Sequence, residues 1–162
     1  MTRFRLSGRG RLGQLCLVAL AACGVPLSAP AQTEGGLYVA GAGFSFEQAA
    51  ADGLSRNPGG QRFFVLVLPP QTEALTSKAS RAQAAARQRV VDGNGVLLVC
   101  RRDIDSGAVD ATRLVPGVVP ARGWPPASSG GLPDGQRYFP DEDPANLPQS
   151  DEMLRRLRST CS

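Results

Sequence analysis

The chain has 162 residues, enough for one domain, with four cysteines and no histidine. The absence of His excludes Ser-His-Asp and Cys-His catalytic pairs and argues against a Cys/His zinc site. The formal charge of +4 is not a nucleic-acid signal: Arg3, Arg5, Arg9 and Arg11 stand in residues 1–31 without an acid, and setting those four aside from the 18 basic residues leaves 14 against 14 acidic ones.

Those four arginines precede Leu15-Cys16-Leu17-Val18-Ala19-Leu20-Ala21-Ala22, a basic region followed by an apolar run too short to span a bilayer stably. Two processing readings stand side by side. Ala29-Pro30-Ala31 before Gln32 is an A-x-A cleavage site, making residues 1–31 a signal peptide. Leu20-Ala21-Ala22-Cys23 resembles a bacterial lipobox, making residues 1–22 a lipoprotein signal with Cys23 lipidated. Both expect the mature chain outside the cytoplasm, in a bacterial periplasm, with membrane contact only if Cys23 carries lipid.

Leu37-Tyr38-Val39-Ala40 reads as a first strand, Gly41-Ala42-Gly43 as a turn, and Ser45 or a neighbour as the cap of a helix through about Leu54, ended by Asn57-Pro58-Gly59-Gly60. A second strand over Arg62–Leu68 is apolar within Phe63–Val67 and stopped by Pro69-Pro70. A helix is expected from Thr76 or Ser77 to about Val91, with Ala79, Ala82, Ala86 and Val90 on its packing face and Arg81, Arg87 and Arg89 away from it. Asp92-Gly93-Asn94-Gly95 turns into Val96-Leu97-Leu98-Val99-Cys100, whose unbroken apolar run fits a strand covered on both faces. A short helix is expected within Asp103–Asp110, then an edge strand around Leu114-Val115 and Val118-Val119. Strands alternating with helices imply a small, mostly parallel α/β sheet flanked by helices over 32–120. Residues 121–162 form a proline-rich C-terminal extension: eight of the chain's 13 prolines fall between Pro116 and Pro148. It ends in a short helix capped by Ser150, with Asp151 and Glu152 at its positive end and Met153, Leu154, Leu157 and Cys161 along one stripe.

Several clusters carry chemistry or resemble it. Cys100 and Cys161 are the two cysteines left under either processing reading, and in an oxidising compartment such a pair usually joins. The competing reading keeps Cys100 as a reactive thiol at a helix start, its thiolate favoured by Arg101 and Arg102. Gly41-Ala42-Gly43 lacks the third glycine of a dinucleotide loop and a P-loop lysine, so it reads as a plain turn. Asp134, Asp141, Glu142 and Asp143 do not fit calcium-loop spacing and read as a solvated acidic turn, with no metal implied. Arg155, Arg156 and Arg158 read as the wet face of the last helix. Trp124, followed by Pro125-Pro126, either anchors the tail or marks a partner site.

From Gly95 to Val119 the chain resembles the DsrE/DsrF-like family of YchN type. That family runs apolar strand, cysteine, short helix, arginine-glycine-aliphatic step, then leucine before a proline-glycine-valine element. Here the residues are Val96-Leu97-Leu98-Val99-Cys100, Ser106-Gly107-Ala108 and Leu114-Val115-Pro116-Gly117-Val118, with Ser106 where the family carries arginine. The resemblance implies a layered α/β/α domain, often oligomeric, in which a cysteine at Cys100 can carry persulfide sulfur. Fold transfers more readily than activity. The layout is also similar to that of small exported proteins of conjugative elements. The expected function is a non-enzymatic binding or assembly role in the envelope, without cofactor or nucleic acid, the partner being another envelope protein or a second copy. The alternatives are a sulfur-carrier or thiol-redox protein using Cys100 and a lipid-anchored component using Cys23.

Overall fold

A computed structural model describes residues 34–132 and 135–162. The processing sites, Cys23 and Asp134 lie outside the described residues. The elements run β1 (Leu37–Ala40), α1 (Phe46–Arg56), β2 (Phe63–Val67), α2 (Arg81–Asp92), β3 (Gly95–Cys100), α3 (Arg101–Asp105), β4 (Val118–Ala121) and α4 (Asp151–Thr160). Short 3-10 turns interrupt the connections, among them Gln71–Leu75 and Ala111–Arg113.

The four strands form one all-parallel sheet in the order β1-β2-β3-β4. That order explains the rest of the architecture. Parallel crossovers are right-handed, so a sheet that always steps the same way puts every crossover helix on one face. α1, α2 and the 71–75 turn do pack there, through Phe46, Ala49, Ala50, Ala74, Leu75, Ala86 and Val90 against Phe63, Val65, Val67, Leu97 and Val99. The opposite face presents Phe64, Leu66, Val96, Leu98 and Cys100, because successive side chains of a strand alternate. No crossover covers them. Leu147 and the α4 residues Leu154 and Leu157, with Cys161 just beyond, close this second core. β2 is buried throughout, as an unalternating apolar strand requires.

Local chemistry sets the boundaries. Ser45 and Gln48 form a capping box: the Ser45 hydroxyl accepts from Gln48 N at 3.2 Å and Gln48 Oε1 accepts from Ser45 N at 3.0 Å. Ser80 and Gln83 repeat it at 3.2 and 2.9 Å. This second box starts α2 at Arg81, four to five residues later than Thr76 or Ser77, whose segment instead joins Leu114 through a Thr76 bridge. Two expectations for that helix are thereby corrected. Ala79 precedes it and Ala82 is exposed, leaving Ala86 and Val90 as the buried residues. Arg87 turns back to donate to the Ala74 and Thr76 carbonyls at 2.8 and 3.2 Å instead of pointing away.

The short helix after β3 also moves. It occupies Arg101–Asp105, with Cys100 as its N-cap, and not the stretch toward Asp110, which is the cap of the 111–113 turn. β4 is an edge strand and includes Pro120, tolerated because an edge position has one side without a ladder partner. Leu114-Val115 stays outside it. Gly41-Ala42-Gly43 is a tight turn closed by Gly41 N donating to Phe44 O at 2.9 Å. Among the described residues no helix is long and apolar enough to cross a membrane.

Candidate functional site

The carboxyl edge of β3 and β4 is where sheet, terminal helix and tail meet. Cys100 ends β3 with its side chain on the second face and is fully buried, 0 % exposed. It is joined to Cys161, the C-cap of α4, by a disulfide with the two Cα atoms 5.1 Å apart. Cys100 lies in register with Ala121, so the chain leaving β4 runs directly past this bond. There Gly123 is required by close approach: a Cβ at that position would stand 2.4 Å from the Cys161 carbonyl oxygen. Trp124 follows, its main-chain N donating to Ser162 Oγ at 2.9 Å and its indole Nε1 to Ser159 Oγ at 3.3 Å. The ring is pinned to the end of α4 yet stays 48 % exposed.

Beneath it lies a buried ion pair. Arg158 is 0 % exposed and donates from Nη1 and Nη2 to the two Glu142 carboxylate oxygens at 2.7 and 2.6 Å. The same guanidinium donates to the Arg122 and Arg137 carbonyls at 2.8 and 3.1 Å. Glu142 in turn accepts from the Arg122 and Phe139 main-chain N–H groups. One two-sided carboxylate–guanidinium fork thus ties two stretches of irregular chain, at Arg122 and over 137–142, to α4. Phe139 adds its ring, with the Arg122 and Arg158 guanidinium carbons 4.8 and 5.2 Å from its centroid.

These observations correct two readings. Arg158 is not on the wet face of α4, and Glu142 is not part of a solvated turn. Asp141 does stay at the surface, paired with Arg122, and Asp143 caps the 144–146 turn. The signal for Arg158 was present: it falls four residues after Leu154 and three before Cys161, on the apolar stripe itself. Nothing in the sequence around Glu142 marks it as the partner, because the contact joins positions whose approach is set by the tail's irregular path.

Arg122 and Phe139, which touch the ion pair, also border an open groove of about 660 Å³. Arg101, Arg102, Arg122, Trp124, Pro125, Pro126 and Phe139 line it, with the Cys161 end of the disulfide at its base. The two arginines expected to attend Cys100 are there, each with its own acid. Arg101 donates from Nε to Asp105 at 2.9 Å, which holds its guanidinium above the ordinary arginine range. Arg102 donates from Nε to Asp103 at 3.1 Å and from Nη1 to the Ser162 carbonyl. The strand order never reverses, so the crevice that doubly wound sheets offer at a switch point is missing from the described strands. The groove is instead made by the tail crossing the sheet's edge. Its lining sets guanidinium donors beside aromatic and proline surfaces.

No family model matches the chain, and neither a curated protein nor a solved structure does.

Proposed function

We propose that this chain is an exported bacterial envelope protein with a non-enzymatic binding or assembly role, acting in the periplasm in soluble or Cys23-lipidated form. Its domain is a DsrE-like α/β/α layer in which the C-terminal extension stands in for the helices of the second face. The observation that carries the reading is the buried Cys100–Cys161 bond. A bridge of that kind suits an oxidising compartment, and it occupies the sulfur that a DsrE-like carrier would use. The abrupt succession of apolar strand, Cys100 and short helix supports the family likeness. A conjugative or secretion apparatus is the setting that the layout suggests, with a second envelope protein or a second copy as partner.

Intact mass of the mature protein from an envelope fraction, before and after reduction, tests this. The expected species begins at Gln32 or carries lipid on Cys23, and gains two hydrogens on reduction. An unprocessed chain with free thiols contradicts it. One observation favours a second reading, thiol-redox or sulfur transfer: Cys161 borders a groove flanked by Arg101 and Arg102. Labelling of Cys100 by a maleimide in native protein without reductant would support that reading, and labelling only after reduction would count against it.

A further inference from the structure

We infer that the groove at the carboxyl edge of β3 and β4 binds an extended segment of a partner protein in which a carboxylate side chain neighbours an aromatic one. The inference rests on the binding-module reading above and names the chemistry of its partner.

Guanidinium donors left over in the groove wall point to an acidic partner. Three arginines stand on the groove wall, each paired with one carboxylate: Arg101 with Asp105, Arg102 with Asp103 and Arg122 with Asp141. None of the three is buried. Among the described residues the Arg101 guanidinium is hydrogen-bonded through Nε alone and the Arg122 guanidinium through Nη2 alone, so each keeps donors for a second oxygen acceptor. A guanidinium presents five N–H donors, and one exposed carboxylate does not exhaust them.

Trp124 adds an aromatic surface to the same wall. A large ring left half exposed forgoes apolar burial. Here it is held in place at both nitrogens by Ser162 and Ser159, so its exposed face is preorganised instead of mobile. Aromatic and arginine side chains set together are the composition of interface hot spots. The groove is open rather than enclosed, which suits a chain passing through it more than a small molecule sealed inside. The arginines would then receive the carboxylate and set specificity, while the exposed face of Trp124 would receive the aromatic ring.

Trp124 is the chain's single tryptophan, so its emission reports occupancy directly. The oxidised mature protein is titrated with blocked Gly-Asp-Phe-Asp-Gly and with the matching peptide in which lysine replaces both aspartates. The inference expects a saturable shift of Trp124 emission with the acidic peptide, at a Kd between about 10 μM and 1 mM, and binding of the lysine peptide weaker by about tenfold or more. Arg101→Glu, which leaves both cores and the disulfide intact, should weaken the acidic peptide about fivefold or more. A smaller ratio between the two peptides, or no shift with either, overturns the assignment. So does phenylacetate giving the same shift at the same concentration, since a small molecule would then suffice. Mass and thiol titration of the same sample separate the two levels: a silent groove in processed, disulfide-bonded protein rejects the partner chemistry alone, whereas free thiols reject the reading beneath it.

Discussion

Arg158 and Glu142 set the balance at the scale of single residues. Two charges withdrawn from water carry a desolvation cost of several kcal/mol each, offset here by a fork geometry and main-chain donors and acceptors on both partners. Breaking such a pair leaves one charge stranded. Glu142→Gln is therefore expected to lower unfolding stability by about 3–5 kcal/mol in urea denaturation, and the double replacement Arg158→Met with Glu142→Leu to cost less than the single change. A Glu142→Gln protein as stable as the parent would show the pair to be dispensable. Tyr138 gives a pH-dependent counterpart. Burial above all raises its phenol, which donates to the Pro148 carbonyl at 3.0 Å, above the ordinary value of 10.0. The folded state then holds that proton more firmly than the unfolded chain. Its stabilising contribution is complete below about pH 10 and is lost as pH rises through the folded-state pKa. Ultraviolet titration of the native protein should show a tyrosine ionising later than in unfolded protein, and coincident curves would contradict this.

Among the elements, α4 carries most. Its cap is doubly served: the Ser150 hydroxyl accepts from Met153 N, and the Glu34 carboxylate accepts from Gln149 N and Ser150 N. Glu34 thus fastens the chain just before β1 to the start of the last helix. Leu157→Ala removes a fully buried side chain from the second core and should cost about 2–5 kcal/mol. Ser150→Ala should cost about 1 kcal/mol. Thermal unfolding of the two variants checks the order, and an equal or reversed loss would mean that α4 is held by its ends and not by its apolar stripe. The elements were legible in the sequence wherever local signals agreed. Phe63–Val67 and Gly95–Cys100 are apolar runs bounded by turn residues, and the Ser150 cap precedes two acids and a regular stripe. The start of α2 was misplaced because three Thr/Ser residues compete there, and only Ser80 has a Gln three residues on to complete a capping box. The ion pair at Glu142 was hidden for the opposite reason: it depends on how a segment without regular structure is routed.

At the level of the whole molecule, strand order governs the design. A sheet wound in one direction leaves a face uncovered, and this chain covers it with its own C-terminal segment, then bonds that segment to the central strand. The disulfide spans a sequence separation of 61 residues. In the chain-entropy model closing such a loop stabilises the fold by about 4 kcal/mol, a large share of the 5–15 kcal/mol typical of a domain. Reduction is expected to lower the melting temperature markedly and to raise the binding of an apolar dye, as Phe64, Leu66 and Leu98 lose cover. Unchanged melting after verified reduction would reduce the bond to an accessory. The parallel α/β class and the cysteine pairing were readable from alternation and parity. The one-directional order was not, because nothing local distinguishes a strand added to one side of its predecessor from a strand added to the other. The central claim is that α4 is a layer of the fold and not an appendage. Native-state hydrogen exchange of the oxidised protein tests it most directly. Amides in Asp151–Thr160 should be protected to within about tenfold of those in Gly95–Cys100, both exchanging through global unfolding; α4 amides exchanging orders of magnitude faster than β3 would contradict the account.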